Sequence, residues 1–304
     1  MGAITKTFSM AGLPSPVWDI NRRDGQPWTR LDDQLKSYAR DDPPKEPQLA
    51  VPVKLVHHMT ETLHSTHSPA VRPMAQATAD LTTIAFYYLL RVGEYTQPPT
   101  DKRRNTHPFA VHNVTFWDAE DRIIPVESPW ARLQQATAAT ITIPRQKTGK
   151  KGQSIHQQCT GLPTSPVKAL ARRVHHILSN GGPVSTPIYT VYDPVFFTHP
   201  QTVTPKRVND AIRTAAGAIG LWEMGYQPRQ VSSHSLRAGG AMALHLHGVD
   251  ITTIKKLGRW TSKTFEDYIH IQISSFSSGL SVQMAHNIPF QQIAPPRHTL
   301  LNAP

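Results

Sequence analysis

Six side chains, dispersed but ordered along the 304-residue chain, carry most of its chemical possibilities: Arg91, Lys147, His234, Arg237, Trp260 and Tyr268. His234-Ser235-Leu236-Arg237 puts an imidazole and a guanidinium three residues apart, neighbours on a helix face. Alone the pair is weak, since 16 histidines and 19 arginines in 304 residues yield about one His-x-x-Arg by chance. Its surroundings add weight. Leu257-Gly258-Arg259-Trp260 follows, with Tyr268-Ile269-His270 eight residues after Trp260, and Leu90-Arg91-Val92-Gly93-Glu94 and Lys147 lie upstream. Breaking a phosphodiester without a metal needs a nucleophile, charge on the non-bridging oxygens and a proton for the leaving oxygen. A phenol, two permanently charged guanidiniums and an ammonium are residue types that meet those needs.

This ordered set resembles the catalytic domain of the tyrosine recombinases, the phage-integrase family. The pattern is an arginine followed by Glu, a β-hairpin lysine, His-x-x-Arg, a His or Trp just after Leu-Gly, and a late tyrosine. A candidate for each member is present between Arg91 and Tyr268. Arg259-Trp260-Thr261-Ser262 and Asp42-Pro43-Pro44 give the set the flavour of eukaryotic mobile-element recombinases, of the Crypton or DIRS-type retrotransposon kind. The resemblance implies that Tyr268 attacks the phosphorus and forms a covalent 3′-phosphotyrosine, which conserves the bond energy for rejoining. It implies that Arg91 and Arg237 fork onto the scissile phosphate and that Lys147 protonates the leaving 5′-oxygen. His234 and Trp260 would hold the phosphate, and His234 could help deprotonate Tyr268, whose ordinary pKa near ~10 falls beside guanidiniums. The implied partner is double-stranded DNA, bound by a homo-tetramer, with no cofactor, metal, membrane or small-molecule substrate. The implied compartment is intracellular, nuclear in a eukaryote.

Several of these residues have plainer readings. Tyr268 and Trp260 could be packing aromatics, and Arg91 a partner for a helix C-terminus. Glu94 is expected to orient Arg91 rather than act chemically. Lys150 and Lys151 share a turn with Lys147, which is preferred because it directly follows a strand. By strict spacing Arg259, not Trp260, falls in the His/Trp position. His245-x-His247 lacks a carboxylate or further His at ligand spacing, and Gly239-Gly240 reads as a place where helices pack closely.

Charge sharpens the expectation. Lys and Arg number 32 against 21 Asp and Glu, a net +11 with a pI near 9.9. Residues 1–50 hold seven basic and seven acidic side chains, so the excess lies beyond them. Between Ser128 and Tyr192 stand eight basic residues and no acid, which suits a polyanion surface. A hydrophobic share of 38% and a charged share of 17% exclude a disordered chain. No apolar run approaches the ~20 residues of a membrane span. The single cysteine, Cys159, excludes an internal disulfide framework and a Cys-based zinc cluster.

The elements that must position these residues form an α+β fold, mostly helical, with a small antiparallel sheet or β-hairpin. Helices are expected at Thr29–Arg40, Pro52–Leu63, Met74–Val92, Pro166–Leu178, Val208–Ile219 and Leu236–His247. A short one capped by Asp250 reaches Leu257, and a last one starts near Ser262. Strands are expected at Val111–Trp117, Arg122–Val126 and Thr140–Pro144, the last turning through Thr148-Gly149-Lys150-Lys151-Gly152 into Gln153–Gln158. Residues 1–50 read as the remnant of an N-terminal helical DNA-binding module plus linker, 51–285 as the catalytic domain, and 286–304 as a flexible tail. Residues 274–290, after the helix that carries Tyr268, are apolar enough for the docking on a neighbouring protomer that the resemblance implies. A DNA-binding relic that has lost catalysis is the alternative; a type IB topoisomerase and an RNA binder fit less well.

Overall fold

A computed structural model of the protein describes residues 48–63, 72–98, 106–145, 151–162, 164–193 and 195–260. Lys147, Tyr268, the Thr29–Arg40 and Ser262 helices, residues 274–290 and the tail lie outside the described residues. Among the described residues, five main helices and a small sheet share one apolar core. They are α1 (Val53–Glu61), α2 (Arg72–Tyr87), a single turn α3 (Val92–Tyr95), then strands β1 (Val114–Trp117) and β2 (Ile123–Ile124). A turn α4 (Trp130–Leu133) leads to β3 (Ala138–Ile143) and β4 (Gln153–Gln158), followed by α5 (Pro166–Ser179). Short strands β5 (Thr190–Val191) and β6 (Gln201–Thr202) precede α6 (Pro205–Ala218), α7 (Ser233–Leu246) and α8 (Ile251–Gly258). The chain is thus mostly helical with a four-stranded antiparallel sheet in the order β2-β1-β3-β4. None of the described helices is long and apolar enough to cross a membrane.

Local chemistry explains most boundaries. In β3 the buried Ala139, Ile141 and Ile143 alternate with partly exposed Thr140 and Thr142, the period of a strand with one face on a core. Ile141 pairs with Ile155 of β4, so the hairpin register buries the apolar side of both strands. Helix α5 takes Pro166 at its first turn and buries Val167, Leu170, Val174 and Ile177 on one stripe. Asp250 caps α8 by accepting from the Thr253 N–H at 2.9 Å.

Helix α2 runs through the middle, against α1, α5 and α7. Its close approach to α7 depends on the two glycines of the latter. A methyl group at Gly240 would stand 2.2 Å from the carbonyl oxygen of Phe86, and one at Gly239 would stand 2.1 Å from that of Val51. Those glycines therefore serve packing, as their sequence context suggested.

Two expectations need correction. Helix α2 stops at Tyr87, five residues before the expected end at Val92, and Leu89 sits in the left-handed region at φ 49°. Arg91 is consequently the N-cap residue of α3 and not the end of the long helix. The block of basic residues between Ser128 and Tyr192 is also less open than its charge suggested. Arg132 binds Asp118 at 2.8 Å, Arg172 binds the buried Asp80 at 2.6 Å, and Arg173 is 2% exposed with its donors on the Ile188 and Thr190 carbonyls. Both carboxylates come from outside that stretch.

Candidate anion site

The site grows from the abrupt end of α2. A leucine in the left-handed region costs about 1–3 kcal/mol and persists only where surroundings over-determine it. Here they do: the Leu89 carbonyl accepts from Arg237 Nη1 and, at 3.0 Å, from Arg259 Nη2. Leu89 also buries its own side chain, at 1% exposure. Just before Leu89, Tyr88 Oη donates to the Ala139 carbonyl at 2.8 Å and Gln157 Nε2 donates to the Tyr87 carbonyl at 2.8 Å. The turn is thereby tied to both strands of the hairpin that leads to Lys147.

Glu94 is the charge at the centre. It is fully buried and reaches back from the third position of α3 to accept from the Arg91 backbone N–H at 2.8 Å. Its other oxygen accepts from Arg91 Nη1 at 3.3 Å, and Arg259 Nη2 donates to Oε2 at 2.9 Å. Arg91 Nη2 further donates to the Arg259 carbonyl at 3.3 Å. That carbonyl is aimed by the left-handed conformation of Arg259, φ 59°, at the end of α8. Burial pulls the Arg259 pKa below its ordinary value; Glu94 opposes that and the neighbouring Arg91 adds to it.

Arg237 completes the group from α7. It is 4% exposed, donates through Nη1 to Leu89 and through Nη2 to the Gly258 carbonyl, and lies over the Trp260 ring at 4.1 Å. The indole can lie there because Gly258 has no side chain: a methyl group would meet the ring at 1.6 Å. Three guanidiniums and one carboxylate thus converge from α3, α7 and the end of α8, residues up to 168 positions apart. Arg91, whose side chain is 20% exposed, is the member open to solvent. Such a preorganised group of donors can hold a multiply charged oxyanion, and rigid bidentate forks suit a phosphate better than ammonium groups do.

Of the expected site residues, Arg91, Arg237 and Trp260 come together. His234 is exposed on the first turn of α7, three residues before Arg237. Lys147 and Tyr268 lie outside the described residues. Arg259, which strict spacing put in the His/Trp position but which was not among the six expected residues, joins the cluster through Leu89 and Glu94. Leu89 as a backbone acceptor carried no signal, being one apolar residue in a run of them. Among the described residues no three His, Cys, Asp or Glu could together hold a metal ion.

No family model and no curated protein matches the sequence. Solved structures do show a likeness. The chain is similar to the XerH site-specific recombinase in its post-cleavage complex with palindromic difH substrate. The TM-score is 0.48 at 12% identity, over 79% of this chain and 54% of that one. It is similar to the XerA recombinase at TM-score 0.42 and 16% identity, over 86% and 78%. The Tn1549 transposon integrase in complex with transposon right-end DNA gives TM-score 0.40 at 10% identity, over 86% and 73%. The chain spans about half the length of the XerH structures.

Proposed function

We propose that this chain breaks and rejoins DNA strands as a tyrosine recombinase, in site-specific recombination or integration of a mobile element. The observation that carries the reading is the convergence of Arg91, Arg237 and Arg259 on the Leu89 turn around one buried carboxylate. Building so concentrated a positive charge costs desolvation and mutual repulsion, and an anionic substrate repays it. In the proposed step the Tyr268 oxygen bonds to phosphorus and loses its phenolic proton to a base, for which His234 is the candidate. The bond from phosphorus to the 5′-oxygen breaks, and Lys147 supplies the proton that oxygen takes up. The returning 5′-hydroxyl reverses the sequence on the partner strand. DNA-bound assembly of four copies in the nucleus of a eukaryotic host belongs to the same proposal.

The test is a suicide duplex carrying the element's own terminal sequence, incubated in EDTA and resolved on a denaturing gel. A protein–DNA adduct lost in Tyr268→Phe is the expected result. Retarded DNA on a native gel with no adduct would replace the enzyme by a DNA-binding relic.

A further inference from the structure

The cluster contains more donors than its internal contacts use. Arg259 is 8% exposed, and only Nη2 of its guanidinium is engaged, on Glu94 and Leu89. Its Nε and Nη1 are buried with no hydrogen-bond partner among the described residues. Leaving buried donors of a charged group empty costs free energy, so such atoms are rare without a reason. Adding the left-handed backbone at the same residue, the fold holds Arg259 in a conformation that its internal contacts alone reward poorly.

Resting on the reading above, we infer that Arg259 is a third phosphate-binding guanidinium of this site, donating to the bound oxyanion through a nitrogen that its internal contacts leave unused. Trp260 then acts on the phosphate through Arg237. Its ring fills the space over Gly258 and sets the plane of the guanidinium stacked on it at 4.1 Å. The division of labour follows from shape. Glu94 and the Leu89 carbonyl both take Nη2, the nitrogen common to the two edges of the Arg259 fork, so the carboxylate aims this guanidinium without engaging all its donors. Arg91 is held on the other oxygen of Glu94, and the two forks are thereby set side by side.

The test uses the full chain and sodium orthovanadate, a phosphate mimic that needs no DNA target, with affinity read by calorimetry. Arg259→Lys is the decisive variant, because its ammonium can still reach Glu94 while the Nε and Nη1 donors are gone; circular dichroism and a urea midpoint establish that it folds. Vanadate affinity lowered at least tenfold in Arg259→Lys, and in Arg91→Gln as well, is the expected result. Affinity within twofold of the parent in Arg259→Lys overturns the assignment, and if Arg91→Gln loses affinity the arginine site itself stands. Affinity within twofold of the parent in both variants, or no saturable binding by the parent, overturns the assignment together with the anion site. Tight, Arg259-dependent vanadate binding without any Tyr268-dependent DNA adduct would uphold the anion assignment and remove the recombinase reading alone.

Discussion

At the scale of single residues the decisive group is Glu94, because among the described residues it is the one carboxylate placed among the three guanidiniums. Removing one partner of a buried ion pair leaves the other charge uncompensated, which costs about 3–5 kcal/mol. Glu94→Gln keeps the shape and an acceptor oxygen, so the loss sits toward the lower end of that range. It is read as a drop in the urea midpoint with unchanged m-value. Arg91→Gln makes the useful contrast. Arg91 is partly open to solvent, with a side-chain exposure of 20%, and its loss relieves repulsion with Arg259. We expect Arg91→Gln to unfold within about 1 kcal/mol of the parent while forming no covalent DNA adduct. Equal destabilisation by the two substitutions would mean that Arg91 is a structural residue and not a ligand for phosphate.

At the scale of elements the balance is between helix propensity and steric fit. An exposed Gly→Ala change inside a helix gains up to about 1 kcal/mol. At Gly240 the added methyl group would stand 2.2 Å from a backbone oxygen of α2, and a backbone cannot swing aside as a side chain can. Steric cost wins, and Gly240→Ala should lower stability by roughly 1–3 kcal/mol, the range seen for overpacked cores. A second element-scale prediction concerns acid. His176 on α5 accepts the Tyr192 backbone N–H on Nε2 at 2.9 Å, so that nitrogen carries no proton. Burial first, with Arg173 and His175 adding, lowers its pKa from the ordinary 6.5 to about 4. The unfolded chain therefore binds the proton more readily, and this group's contribution is complete above pH 6.5 and is lost as pH falls toward 4. Urea midpoints across that window should fall less steeply in His176→Gln, whose Oε1 can accept the same N–H without titrating. Identical slopes would show that another group sets the acid sensitivity.

The same scale shows which parts of the fold could be read from residue order. Caps and periodicity located α5, α7 and α8, because Ser165-Pro166, Gly248 and Asp250 act through local chemistry. The β3–β4 hairpin was legible for the same reason, its β-branched run bending at a glycine-containing turn. The end of α2 was not. Phe86, Tyr87, Tyr88, Leu89 and Leu90 continue an apolar pattern with no glycine or proline, and the break is imposed by arginines 148 and 170 residues away. Thr204 as the cap of α6 was also missed, though Thr-Pro is a local signal, and helix α4 is a single turn too short to show a period. The site followed the same rule. Side chains announced themselves by type and spacing, whereas the backbone acceptor that gathers them exists only after folding.

At the scale of the whole molecule, net charge has to be divided into charge that faces solvent and charge that holds the fold. Of the eight basic residues between Ser128 and Tyr192, Arg132, Arg172 and Arg173 are spent internally, on Asp118, on Asp80 and on two backbone carbonyls. Lys151, by contrast, is exposed beside the hairpin turn. Counterion release depends only on cations that reach phosphates, each contributing about one unit to the slope of log Kd against log salt. Measured on duplex DNA, Lys151→Gln should therefore lower that slope by about one unit and leave the urea midpoint unchanged. Arg172→Gln should do the reverse. It strands the buried Asp80 carboxylate, whose pKa burial already raises against the opposing pull of Arg172, and so destabilises the α2–α5 contact. Its salt slope should match the parent's, read below the temperature where the variant unfolds. A slope lowered equally by both substitutions would show that Arg172 leaves Asp80 to meet DNA.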